Sequence, residues 1–203
     1  MTENILPRVD AADIQAARSI PASIGIVVAA SALVALCAHV SVPLLFTPVP
    51  MSLAPFAVLS LGLLLGPRLA FASLCVYLSE GAAGLPVFSP QGPSGILHLM
   101  GPTGGYLMSY PFAAALAGYL FRLKLGRLAP GSFAQAVGSA GVASAVILVA
   151  GASWLELLTH MDIRLILAQA VVPFLPGDVL KVFAAAGAAI GIRGWMRRRR
   201  AEN

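Results

Sequence analysis

The chain has 203 residues, of which 59% are hydrophobic and only 10% charged, with a net charge of +5. A soluble domain carries about 25% charged residues, so this composition excludes a water-clothed globule and makes lipid the solvent for most of one compact membrane domain. The positive charge is not a nucleic-acid footprint: Arg197, Arg198, Arg199 and Arg200 directly follow an apolar helix, the place of a topology anchor at anionic headgroups.

In chain order, residues 1–19 are polar and mixed in charge, with no apolar run after a basic start. They read as a cytoplasmic tail, with a short surface helix expected from Asp10 to Arg18, and not as a cleavable signal peptide. The membrane domain is expected over residues 20–195, followed by a basic cytoplasmic tail over residues 196–203. The first apolar run, Pro21–Val42, is long enough to span a core of about 30 Å. Pro43, Pro48 and Pro50 then predict an extended or turning loop. The run Leu53–Ala83 is too long for one span and is cut at Gly66, Pro67 and Arg68, which predicts helices Leu53–Gly66 and Arg68–Ala83. Gly84–Gly105 is a long Gly/Pro-rich loop without Lys, Arg, Asp or Glu, and such loops are usually functional. Further helices are expected over Tyr106–Leu120, Phe133–Leu158 and Pro176–Trp195, with a short surface helix possible between the last two.

Charge supports an all-α integral membrane bundle of six transmembrane helices, with both termini cytoplasmic. One side then holds Arg8, Arg18, Arg68, Arg122, Lys124, Arg127 and the Arg193–Arg200 cluster. The other side holds Arg164, with Lys181 near its boundary. Five spans would place the tail arginines opposite the N-terminus and spoil this pattern. The proline loop, the Gly/Pro loop and the start of the last helix then share the external face.

Asp178 and Lys181 stand out in that last helix. Pro176 suits a first helical turn, and Asp178 lies in that turn, where the helix dipole favours an anion. Lys181 follows three residues on, on the same face. The bland account is a self-satisfied ion pair that snorkels outward. The functional account is a polar pocket, since ionisable residues within a membrane are functional by default. A ligand with a carboxylate and amide-type N–H donors would satisfy both side chains. Gly101–Tyr106 reads "GPTGGY": Thr103 and Tyr106 offer hydroxyls, Tyr106 can stack on a flat ring, and Gly104 and Gly105 allow close backbone approach. The alternative is a helix-entry turn with Tyr106 as an interfacial aromatic.

An enzyme reading rests on Ser94 in "GPSG", with His98 and His160 as candidate bases. It requires Ser and His in hydrogen-bond reach, and Ser94 lies in an irregular loop. There is no Walker A motif. Cys37 and Cys75 lie in apolar runs without metal-ligand spacing, so neither a metal nor a disulfide is implied, and no cofactor is expected. Ser31 and Ala35 form a small-xxx-small step in the first helix, for packing within the bundle or for docking to a partner.

Five ordered motifs carry a family resemblance: Pro43–Leu53 (PLLFTPVPMSL), Leu61–Ala70 (LGLLLGPRLA), Tyr77–Phe88 (YLSEGAAGLPVF), Gly101–Leu107 (GPTGGYL) and Pro173–Lys181 (PFLPGDVLK). Together they resemble BioY, the biotin-specific substrate-binding S component of energy-coupling-factor (ECF) transporters, over about Ile20–Trp195. The resemblance implies six helices, external loops over biotin, and partners: a transmembrane T protein and two ATP-binding-cassette ATPase subunits in the cell (inner) membrane. It implies no enzyme activity of the chain itself. Lys181 is expected at the biotin carboxylate and Asp178 at the ureido group, or Asp178 serves only to orient Lys181. Phe88, Tyr106 and Phe174 are candidate apolar walls, and Ser31 and Ala35 fall in the docking region. Family members often carry Gln where this chain has Ala54, so Ser52 is the candidate replacement contact. The alternatives are an S component for another small vitamin, an intramembrane serine hydrolase using Ser94, or a transporter working alone.

Overall fold

A computed structural model describes residues 20–123 and 131–202. The expected N-terminal tail with its Asp10–Arg18 helix, and Lys124 and Arg127 of the basic turn, lie outside the described residues. Within them are α1 (Ile20–His39), β1 (Ser41–Val42), β2 (Met51–Ser52), α2 (Ala54–Leu65), α3 (Pro67–Ala82), α4 (Ile96–Met100), α5 (Gly104–Leu120), α6 (Phe133–Thr159), α7 (Ile163–Ala170) and α8 (Leu175–Glu202).

Local chemistry sets the boundaries. Gly66 stops α2 with φ 80°, a conformation that suits glycine, and Pro67 opens α3 in the next position. Arg122 donates to the Leu65 carbonyl at 3.1 Å and so satisfies the exposed end of α2. Ser132 caps α6 by accepting from the Gln135 N–H. The Gln135 amide also donates to the carbonyls of Leu120 and Leu123, which ties the end of α5 to the start of α6. Asp162 caps α7 through the Arg164 N–H at 2.8 Å.

The break at Gly66 falls where the sequence predicts it, and a short helix does lie between α6 and α8. Three features differ from expectation. The proline loop closes as an antiparallel hairpin, with Ser41 opposite Ser52 and Val42 opposite Met51. The Gly/Pro loop contains α4. The last helix continues through the basic tail to Glu202.

Helix α5 is the centre of the bundle and packs against α2, α3 and α6. Helix α8 packs on α2 and α6, α1 on α2 and α3, and α7 on α6. The interior is built largely of alanine: Ala70, Ala113, Ala114, Ala117, Ala140 and Ala185 are fully buried. Side chains this small let helices approach closely. The outside is apolar instead, with Ile24, Leu36, Phe112, Val149 and Leu180 exposed. The stretches Pro21–His39, Phe133–Thr159 and Leu175–Met196 are long and apolar enough to cross a membrane, and Ala54–Leu65 is a shorter apolar helix. This is a helical membrane protein.

The two ends of the bundle differ in charge. Arg68, Arg122 and Arg193 meet at the Gly66 turn: Arg193 donates to the Leu63 carbonyl and its guanidinium lies 4.5 Å from the centre of the Phe121 ring. At the opposite end lie the hairpin, α4 and the start of α8. Residues 40–67 and 81–121, which supply most of that end, contain no Lys, Arg, Asp or Glu.

Candidate ligand-binding site

A small cavity of about 60 Å³ opens at the end opposite the Gly66 turn. Its wall draws on every long helix: Ala38 from α1, Ala54 and Pro55 from α2, Tyr77 from α3, Tyr106, Leu107 and Tyr110 from α5, Ile147 and Leu148 from α6, and Asp178 and Lys181 from α8. The hairpin adds Val49, Pro50 and Ser52, α4 adds His98, and the loops add Ser89, Thr103 and Phe174.

The polar centre is built on the first turns of α8. Lys181 Nζ lies 3.1 Å from Asp178 Oδ1, and Ser144 of α6 donates to Asp178 Oδ2 at 3.3 Å. Asp178 and Lys181 are buried, at 8% and 9% exposure. The pair does not snorkel outward: both side chains face the cavity. Asp178 has its two oxygens engaged inside the protein, one by Lys181 and one by Ser144. That geometry favours the orienting role for Asp178 over a direct contact with ligand N–H groups. The ammonium of Lys181 has three donors, of which Asp178 takes one.

Tyrosines line the wall beside this pair. Tyr106 donates to the Ala170 carbonyl at 2.7 Å, which fixes its ring, and the ring lies 6.4 Å from that of Phe174. Tyr110, one turn on, shares a side-chain hydrogen bond with Ser52 of the hairpin. Ser52, Thr103, Tyr106, Phe174, Asp178 and Lys181 are therefore brought together around one cavity.

Phe88, Gly104 and Gly105 are not in its wall. Phe88 is buried behind it, edge-on to Tyr77 at 5.3 Å and beside His98 at 5.0 Å. A Cβ on Gly105 would overlap Trp154, and one on Gly104 would overlap the Leu99 carbonyl. These glycines serve the approach of α5 to α6 and α4 rather than the approach of a ligand. Ser31 is a further correction. It is fully buried and donates to Glu80 of α3, so a partner docking on this fold does not reach it. Ala35 is half-buried. The small residues that α1 exposes are Ala22, Gly25, Ala29 and Ala32.

The hydrolase constellation does not form. Ser94 is exposed, and His98 Nδ1 meets the Pro93 carbonyl at 2.9 Å rather than a serine. His160 caps α6 with φ 52°. Among the described residues no cluster of His, Cys, Asp and Glu could hold a metal ion, and both cysteines are free thiols.

Several residues of the site or behind its wall escape a sequence reading. Ser144 sits in a run with other serines, and only the docking of α6 on α8 selects it. Tyr110 was accessible in principle, because it lies four residues after Tyr106 on the same helical face. Tyr77 stands in a family motif and His98 is a candidate base of the enzyme reading, but nothing in the sequence marks either as a wall residue.

Three comparisons bear on this site and fold. Residues 10–198 match the model of the BioY family. A BioY protein of Pyrococcus horikoshii is 37% identical over 147 residues, which cover 72% of this chain and 82% of that one. The biotin transporter BioY of Thermotoga maritima is 33% identical over 163 residues, covering 80% and 90%. A crystal structure of the S-component for biotin from an ECF-type ABC transporter superposes with a TM-score of 0.77 over 88% of this chain and 95% of that one, at 23% identity, and so shares the fold. With nearly its whole length matched, its helices in the arrangement of that S-component and its five motifs in order, the chain belongs to the BioY family.

Proposed function

We propose that the chain binds biotin in the cavity at the external face of the membrane and mediates its uptake as the substrate-specific subunit of an ECF-type vitamin transporter. The observation that carries this reading is the buried Lys181–Asp178 pair facing a cavity walled by all six long helices. Biotin presents a carboxylate, a ureido group with N–H donors and a carbonyl, and an apolar bicycle. Lys181 takes the carboxylate, and Asp178 with Ser144 holds the ammonium in place. Tyr106 and Phe174 cover the apolar part.

Of the bundle, α1, α2, α3, α5, α6 and α8 are the six spans, with residues 20–195 as the membrane domain and both termini in the cytoplasm. The protein resides in the cell (inner) membrane. Support comes from the arginines gathered at the Gly66 turn and the scarcity of basic residues at the opposite end. The chain is no enzyme; a T protein and two ATP-binding-cassette ATPase subunits supply the motor. The exposed small face of α1, with Gly25, Ala29 and Ala32 beside half-buried Ala35, is the docking surface in place of Ser31, because small side chains there let a second helix come close.

The test is calorimetric titration of purified protein with biotin. Lys181→Met is expected to weaken binding at least tenfold, about 1.4 kcal/mol. A folded wild type that takes up no heat-detected biotin, while binding another vitamin, would replace the ligand and keep the subunit class. A second measurement isolates docking. Ala29→Trp should reduce biotin uptake by cells that contain the partners and leave binding by the purified chain unchanged. Equal uptake by the variant would remove α1 from the interface.

A further inference from the structure

We propose that the Tyr77 hydroxyl and the His98 imidazole form the second polar contact of the cavity and read the ureido group of biotin, apart from the Lys181 contact to its carboxylate; this rests on the biotin reading above. Tyr77 is completely buried and lines the cavity, yet its hydroxyl has no hydrogen-bond partner among the described residues. Buried hydroxyls are nearly always paired. Tyr106 and Tyr110, in the same wall, have protein partners. Tyr77 is thus the tyrosine whose partner must come from the cavity itself.

His98 supplies the complement. It is 4% exposed and lines the same cavity. Its Nδ1 lies 2.9 Å from the Pro93 carbonyl. A carbonyl only accepts, so Nδ1 carries the proton, and the neutral ring then offers Nε2 as an acceptor. Phe88 is wedged between the two rings, 5.3 Å from Tyr77 and 5.0 Å from His98, so both are held in place before any ligand arrives. One donor and one acceptor in the same cavity wall suit a ureido group, which presents a carbonyl oxygen and N–H groups. Asp178 does not meet this need alone, because a carboxylate only accepts and cannot donate to the ureido carbonyl.

The test is competition calorimetry on the purified full chain with biotin and with biotin methyl ester, in which the carboxylate is blocked. Tyr77→Phe is expected to weaken biotin about fivefold to tenfold and to weaken the ester by the same factor. His98→Asn, which can keep the bond to Pro93 and lacks Nε2, should behave likewise. Lys181→Met should weaken biotin and leave the ester nearly unchanged. Because the Tyr77 hydroxyl has no hydrogen-bond partner among the described residues, ligand-free Tyr77→Phe should melt at or above the wild-type temperature, which separates lost recognition from lost folding. Binding of biotin by Tyr77→Phe within twofold of wild type overturns the proposal. So does a penalty seen with biotin and absent with the ester, which would move Tyr77 to the carboxylate end. Wild-type protein that binds no biotin would instead overturn the biotin reading, and this inference with it.

Discussion

Asp178 and Lys181 are a buried ion pair, and the two partners do not stand equally without each other. Desolvation makes a lone buried charge costly, by about 3–5 kcal/mol when one partner of a pair is removed. Asp178 alone would still have the first turn of α8 and the Ser144 hydroxyl to favour its charge. Lys181 alone would face the positive end of the same helix with no anion beside it. Asp178→Asn should therefore lower unfolding stability in detergent more than Lys181→Met, and the double variant should recover part of the loss. The reverse order in denaturant or thermal unfolding would mean that the helix terminus does not govern the site. The pair was legible in the sequence because three-residue spacing fixes a shared helical face and two charges are conspicuous among apolar neighbours. Ser144 was not legible, since a hydroxyl among alanines and glycines has no such contrast. The ligand-approach role expected for Gly104 and Gly105 failed for a related reason: a glycine signals close approach without saying what approaches.

Among the elements, α5 carries the most function per residue, with Tyr106 and Tyr110 on the face toward the cavity and Gly105 on the face toward α6. Gly105→Ala should push α5 away from Trp154, lower the melting temperature and weaken biotin together. Gly66→Ala is the contrast. It strains a positive-φ turn at the far end and adds a Cβ that crowds the Arg122 guanidinium. It should cost about 1 kcal/mol or more of stability with biotin affinity unchanged. Thermal melting and titration of the two variants distinguish them, and a Gly66→Ala that loses affinity would contradict the separation of the two ends. The helices and the Gly66 break could be read from hydropathy, Gly and Pro because these act locally. The hairpin and α4 could not. Each is too short to have a periodicity, and both owe their shape to the bundle they rest on: Ser41 of the hairpin donates to Gln91 of the loop that precedes α4 at 2.8 Å.

At the scale of the molecule, the contrast between the arginine-rich end and the opposite end, poor in basic residues, sets the expected orientation. In a chain freed of Cys37 and Cys75, Leu45→Cys at the fully exposed hairpin tip should react with a membrane-impermeant maleimide on intact cells. Arg198→Cys should react only after the cells are opened. Labelling of both from outside would break the six-span arrangement. Fold and family follow from patterns spread along the whole chain, which is why they could be read before any coordinates. The cavity depends on which faces of six separate helices meet, and single positions do not encode that.

The alanine interior has an entropic consequence. Alanine has no side-chain rotamers to lose, whereas Lys loses about 1.5–2 kcal/mol when it is ordered. The bundle therefore assembles with little side-chain ordering, and flexible side chains held still are concentrated at the cavity. Lys181 is fixed by Asp178, Tyr106 by Ala170 and His98 by Pro93 before a ligand enters. Most of the ordering belongs to folding, and the ligand meets a wall that has little left to lose.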